Sequence, residues 1–165
     1  MVARCPECQA GAVGLATVGL MRAVIQRVAK AGVSVEGHVV GEIGSGLCVF
    51  VGVTHQDTSD QARKLADKLW KLRIFADGDD KMNLSVADVG GHVLVVSQFT
   101  LYGDARKGNR PGYTEAARPD VAEPLIDLVA AELSDRGCTV ATGVFGADMQ
   151  VEMVNDGPVT ILLEV

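Results

Sequence analysis

The stretch Leu47-Cys48-Val49-Phe50-Val51-Gly52-Val53 is almost continuously apolar. Side chains of an extended strand alternate between two faces, so such a run cannot leave either face in water. It therefore predicts a strand lying centrally in its sheet. His92 to Val96 reads as a second buried strand. Between the two lies a helix signal. Thr58 with Gln61 three residues later fits a capping box. Ala62, Leu65, Ala66, Leu69 and Leu72 then recur at helical spacing, while Arg63, Lys64, Asp67, Lys68 and Lys71 face out.

The remaining segments fill in around this centre. Arg22 to Val28 reads as a first strand. Val33 and Val35 alternate with Ser34 and Glu36 in a second, half-buried one. Gly37 and His38 permit a turn into a third strand, VVGEI. A long polar excursion follows Phe75. A second helix is predicted over Val121 to Arg136, with Leu125, Leu128, Val129 and Leu133 as its buried stripe and Gly137 as its stop. Three short strands, CTVATG, MQVEMV and PVTILLEV, close the chain. This order of elements predicts an α/β domain of the α+β type, with two main helices on one side of mixed β-structure. Residues 1–20 are small and Gly/Ala-rich, without the apolar centre of a secretory signal. They are read as a disordered appendage to a single domain over residues 21–165.

Composition excludes several classes. The net charge is −6 and the pI about 5.0, which argues against broad coating of nucleic acid or DNA binding, though not against a small contact with one RNA end. No apolar run approaches the roughly 20 residues of a membrane-spanning helix. Cys48 and Cys138 read as buried thiols. Cys5 and Cys8 form a lone C-x-x-C without a second pair of ligands, so no metal is expected. No disulfide framework is evident, and the cytoplasm is the expected compartment. The DGDDKMN segment lacks the closing Glu of a calcium loop. No dinucleotide fingerprint or phosphate-binding loop is present, and no cofactor is expected.

Chemistry concentrates in two polar segments and one loop. SQFT, Ser97 to Thr100, ends the second buried strand. Strand alternation would send Ser97 and Phe99 one way, Gln98 and Thr100 the other. The segment is either the working end of a site or the polar rim of a sheet. NDGPVT, Asn155 to Thr160, is a turn before the last strand or the place of a cis Gly157–Pro158 bond. The loop after SQFT carries Arg106, Lys107 and Arg110 with Tyr102 and Tyr113 interleaved. It is either a solvated loop or a local phosphate or base contact. The three histidines, His38, His55 and His92, offer no base. His92 and Thr100 would lie about 26 Å apart on one straight strand. A Ser–His or Cys–His hydrolase thus has little support.

Taken together, MRAVIQRV, VSVEG, GEIGSGL, RIFAD, KMNLSV, VLVVSQFTLYGD and ADMQVEMVNDGPVT resemble the D-aminoacyl-tRNA deacylase (D-Tyr-tRNA deacylase) family over the whole chain after residue 20. The resemblance implies that family's fold, with the mixed sheet layered or barrel-like. It implies a homodimer that hydrolyses the ester between a D-amino acid, or glycine, and the tRNA 3′ end. It also implies that Gly157–Pro158 is cis and enters the partner's pocket, facing Ser97, Gln98, Phe99 and Thr100. Phe145 and Met149 resemble the wall of the adenosine-side pocket, and Arg27 resembles the residue that props the Gly-Pro turn. On this reading Gln98, Phe99 and Thr100 form the catalytic end. Thr100 positions substrate, and the terminal ribose 2′-OH assists the chemistry. Arg106, Lys107 and Arg110 would touch the acceptor end. The rival expectations are a noncatalytic RNA-end or nucleotide-binding module, and an editing domain that removes a wrong L-amino acid.

Overall fold

The structure, a computed structural model, describes residues 20–165. The expected appendage and the Cys5–Cys8 pair lie outside the described residues, Leu20 excepted. Eight strands and two helices follow in order: β1 (Arg22–Val35), β2 (His38–Ile43), β3 (Gly46–Gly52), α1 (Ser59–Lys71), β4 (Phe75–Ala76), β5 (Met82–Leu84), β6 (His92–Ser97), α2 (Pro119–Asp135), β7 (Thr139–Thr142) and β8 (Met149–Glu164).

The principal sheet has the order β2-β1-β3-β6-β7, with β8 also paired to β1. β1 runs antiparallel to β8 from Arg22↔Glu164 to Val35↔Met149. On its other edge Arg22–Val28 pairs with β3, and Ala31–Val35 pairs with β2. β3–β6 and β6–β7 are parallel. A parallel pair needs a crossover, and α1 and α2 supply the two.

The central strands are apolar on both faces because each face is buried differently. On one face Ile25, Val49, Val51, Val93 and Val95 pack with Leu65 and Leu69 of α1 and Val129 and Leu133 of α2. The opposite face of the same strands buries Val28, Val33, Ile43, Cys48, Leu94 and Val96 in a second cluster without any helix. The sheet curls over this second cluster until β2 meets β7. A Cβ on Gly41 would stand 2.6 Å from the Thr142 carbonyl oxygen, so only glycine allows that approach. The result is a mixed, nearly closed barrel with two helices on one side, as the element order and the family resemblance imply.

Local structure departs from the sequence reading in four places. The first two expected strands are one, β1, because Gly32 between them is not a turn but is paired in the sheet with Glu42 and Glu152; β1 shifts register between Gln26 and Lys30. The hairpin to β2 turns on Glu36 and Gly37, with φ of 50° and 79°. α2 begins at Pro119, whose missing N–H is harmless in a first turn, and Pro124 lies inside it. Its buried side chains are Ala122, Ile126, Val129 and Leu133, with Leu125 and Leu128 only partly covered. The last two expected strands are a single β8 that runs through NDGPVT. The predicted cap of α1 is present in full: the Asp60 N–H donates to Thr58 Oγ1 (3.3 Å) and the Thr58 N–H to Gln61 Oε1 (3.0 Å).

Candidate active site

β6 ends at Ser97, and the Gln98 N–H adds one further bond to the Val51 carbonyl (2.8 Å). Phe99–Tyr102 then forms a 3-10 turn, not a continuing strand. Strand alternation therefore does not order SQFT. Gln98 and Thr100 still meet, because the turn carries Thr100 back: Gln98 Nε2 donates to Thr100 Oγ1. Thr100 is exposed and does not itself line the cavity that lies beside this turn.

Beside this turn lies a cavity of about 610 Å³. Ser97, Gln98 and Phe99 line one side, Phe145 and Met149 the other, and Ala122 and Ile126 of α2 contribute an apolar wall. Tyr113 stands edge-on to Phe99, with ring centroids 5.1 Å apart. Phe99 is 58% exposed, unusual for an aromatic ring beside a core. The ionisable side chains lining the cavity are Tyr113 and Asp148; none of the three histidines does. His55 Nε2 is instead engaged with the Thr114 carbonyl (2.7 Å).

A second cavity, of about 700 Å³, opens behind Tyr102 and is lined by Arg22, His55, Asp104, Arg106 and Glu115. Its principal charges are already satisfied. Arg106 grips both oxygens of Asp104 (2.8 Å each), and Arg22 Nε bonds Glu164 (2.8 Å). The Arg106 hydrogen bonds hold the Asp104 carboxyl at about 2, below its ordinary value. Arg22 also stacks 4.7 Å over the Tyr102 ring. Burial, reinforced by the charge of Asp57, pushes the Tyr102 phenol up. Burial likewise raises the Asp57 carboxyl, against a lowering hydrogen bond from the Thr54 N–H. The first cavity is the better candidate, since it combines apolar walls with few convergent polar groups.

Gly157 and Pro158 do not line either cavity of their own chain. They sit where β8 leaves the β1 ladder. Thr160 pairs with Gln26 and Asn155 with Val28, so four residues, Asp156 to Val159, face only Arg27. Val159 turns inward and is buried, while Asp156, Gly157 and Pro158 are exposed. The Gly157–Pro158 peptide bond is cis. Gly157 has φ +123°, and a Cβ there would lie 2.8 Å from Val159 Cγ2 and 2.9 Å from the Arg27 guanidinium. Arg27 donates from Nε to the Asp156 carbonyl (3.2 Å) and from the terminal nitrogen to the Ile74 carbonyl (2.6 Å). It also pairs with the Asp156 carboxylate at 3.2 Å.

The residues proposed for tRNA contact differ among themselves. Arg106 is committed to Asp104, whereas Lys107 and Arg110 are exposed and make no ion pair among the described residues. Sequence reasoning singled out the Asn155–Thr160 segment but gave no role to the side chains of Gln26, Asn155 and Thr160, which bond to one another at the base of the Gly157–Pro158 loop. A signal was present. Buried residues of β1 alternate as Ala23 and Ile25, then skip to Val28 past Gln26 and Arg27, the phase break of a bulge.

Comparison with known proteins identifies the family. Residues 24–164 match the family model described as D-Tyr-tRNA(Tyr) deacylase. A D-aminoacyl-tRNA deacylase of Anaeromyxobacter dehalogenans is 62% identical, covering 87% of this chain and 97% of the relative. One from Chloroflexus aurantiacus is 59% identical, covering 87% and 90%. The solved structure of a c-Myc DNA Unwinding Element Binding Protein superposes with TM-score 0.82 at 39% identity, over 87% of this chain and 98% of the other. A probable eukaryotic D-amino acid tRNA deacylase shares the fold, with TM-score 0.77 at 18% identity over 88% of this chain and 100% of the other. By the match over nearly all of its described length, the chain belongs to the D-Tyr-tRNA(Tyr) deacylase family of hydrolases.

Proposed function

We propose that the protein acts in the cytoplasm as a homodimer and hydrolyses the ester that joins a D-amino acid, or glycine, to the tRNA 3′ end. One observation carries the reading. Ser97, Gln98 and Phe99 share a cavity with Phe145 and Met149, while Gly157 and Pro158 stand exposed outside it. An exposed main-chain loop that its own pocket does not use is suited to a second copy's pocket. Leu162, 77% exposed farther along the same strand, adds apolar surface that a partner can cover. Family membership, and relatives named D-aminoacyl-tRNA deacylase, supply the substrate class.

Chirality is then read by exclusion. With the amino group and carbonyl of the aminoacyl ester held, main chain packed on one side of Cα admits hydrogen and clashes with a side chain. An L residue is rejected, a D residue fits, and glycine passes. A clash discriminates more sharply than an added attraction. The Arg27 and Asn155 bonds make the loop stiff enough to present that clash.

Hydrolysis requires water to attack the ester carbonyl, a stabilised oxyanion, and a ribose oxygen that leaves with a proton. Phe99 and Thr100 begin the 3-10 turn, where main-chain N–H groups have no acceptor within the turn. These donors suit the oxyanion. Histidine is not at hand as a base, so the terminal ribose 2′-OH assists the attack, and Thr100 positions the substrate. Phe145 and Met149 flank the terminal adenosine. Lys107 and Arg110 meet backbone phosphates, with Arg106 in the same loop.

A second reading, a noncatalytic nucleic-acid-end module, draws on the likeness to the DNA unwinding element binding protein. The net charge of −6 opposes binding along a duplex. Incubation with D-aminoacyl-tRNA, the matched L-form and glycyl-tRNA separates the readings. Release of D-amino acid and glycine alone supports the proposal. Binding without release favours the module, and release of the L-amino acid indicates an L-editing enzyme.

A further inference from the structure

We infer that Gln26 is a positioning residue that sets the chiral gate, and that it acts as a hydrogen-bond acceptor only. The inference rests on the cross-subunit reading above. The four-residue excursion Asp156–Val159 has two legs. Arg27 holds the first leg through the Asp156 carbonyl. The second leg is held by Asn155 Oδ1, which accepts the Val159 N–H at 2.9 Å. That bond decides every other orientation in the cluster. A main-chain N–H can only donate, so Asn155 must turn its oxygen to Val159 and its Nδ2 the other way. Nδ2 donates to Gln26 Oε1 and, at 3.3 Å, to Thr160 Oγ1. The Thr160 hydroxyl in turn donates to the same Gln26 Oε1 at 3.0 Å. Gln26 must therefore present oxygen, not nitrogen, to both neighbours.

Adjacent residues of β1 thus govern both legs: Arg27 directly, Gln26 through Asn155. Gln26 touches neither Gly157 nor Pro158 in this network. Its effect on the gate passes through the posture of Val159 and the width of the loop.

The test compares Gln26→Glu, which keeps the acceptor and the shape, with Gln26→Met, whose thioether accepts only weakly. Hydrogen exchange of the Val159 amide in the intact protein reads the clamp itself. In Gln26→Met that exchange should quicken about tenfold, the scale of one lost hydrogen bond, with the Val49 amide unchanged; in Gln26→Glu it should stay near native. Hydrolysis of matched D- and L-aminoacyl-tRNA reads the gate. Gln26→Met should lower the D-over-L ratio of kcat/KM, chiefly by gaining L-hydrolysis, and Gln26→Glu should restore it. Native exchange at Val159 in Gln26→Met would overturn the inference. So would quickened exchange with an unchanged D-over-L ratio. A native protein indifferent to chirality would refute the functional reading instead, and the Val159 exchange would still decide whether Gln26 holds the loop.

Discussion

Gly157→Ala tests the stereochemical reading at one atom. The added Cβ meets Val159 Cγ2 at 2.8 Å, an Arg27 guanidinium nitrogen at 2.9 Å and the Val159 nitrogen at 3.1 Å. Arg27 is not free to swing aside, because it bonds the Ile74 carbonyl at 2.6 Å and the Asp156 carbonyl at 3.2 Å. The residue also sits at φ +123°, which non-glycine residues adopt at a cost of about 1–3 kcal/mol. The loop relieves this by moving, and if it lines a partner's pocket the movement appears in kcat/KM. About 1–3 kcal/mol corresponds to roughly 5- to 150-fold. Single-turnover deacylation of D-aminoacyl-tRNA measures the loss, and the melting temperature monitors the fold. Residues 156–158 are exposed, so the fold should survive. A variant that is folded, dimeric and as fast as native on the D-ester would refute the placement of Gly157 in the site. A fall in melting temperature without a fall in rate would reduce Gly157 to a turn residue.

Further outcomes follow from the same geometry. Thr100→Val removes the acceptor for Gln98 Nε2 and should lower the deacylation rate less than about tenfold; a loss of roughly a thousandfold with binding intact would make Thr100 the nucleophile. Replacing Lys107 and Arg110 with Gln should weaken tRNA binding and flatten its salt dependence, by close to two units in the log–log slope if each meets one phosphate; an unaltered slope returns the loop to solvent. The Asp104 carboxyl is held at about 2 by Arg106, so the stability the pair contributes is fully present above the ordinary carboxylate range and is lost as pH falls through about 2; its carboxyl resonance should titrate near that value, and a normal titration would break the pairing. Burial pushes the Cys48 thiol up to about 12 and raises Cys138, so a Cys5→Ser, Cys8→Ser variant should resist alkylation at neutral pH until it unfolds.

Features that depend on a few neighbouring residues were legible in the sequence. The Thr58–Gln61 cap, the helical stripe of α1 and the burial of Leu47–Val53 follow from spacings within one or two turns. Partners of the candidate site were not legible from spacing. SQFT reads as strand by its apolar lead-in, yet the chain curls at Gln98 into a 3-10 turn. Ser97 and Met149 lie 52 positions apart in sequence and share a cavity only because β6, β7 and β8 are wound into one sheet. Their grouping came from family resemblance, and no periodicity predicts it.

The amino-acid pattern alone determined which segments must be buried, where α1 starts, and that no histidine is set for nucleophilic catalysis. It also placed the adjacent polar pair Gln26-Arg27 where the alternation of β1 first fails, before a second break at Ala29-Lys30. Only the tertiary structure decided what that failure is for. Gln26 and Asn155 are 129 positions apart, and their contact exists because β8 pairs with β1 on both sides of the Asp156–Val159 excursion. Local patterns are set by short-range sterics and burial. A register, a barrel closed by Gly41 against Thr142, and a loop held open by a hydrogen-bond chain depend on which distant backbone groups satisfy one another, and the whole fold makes that choice at once.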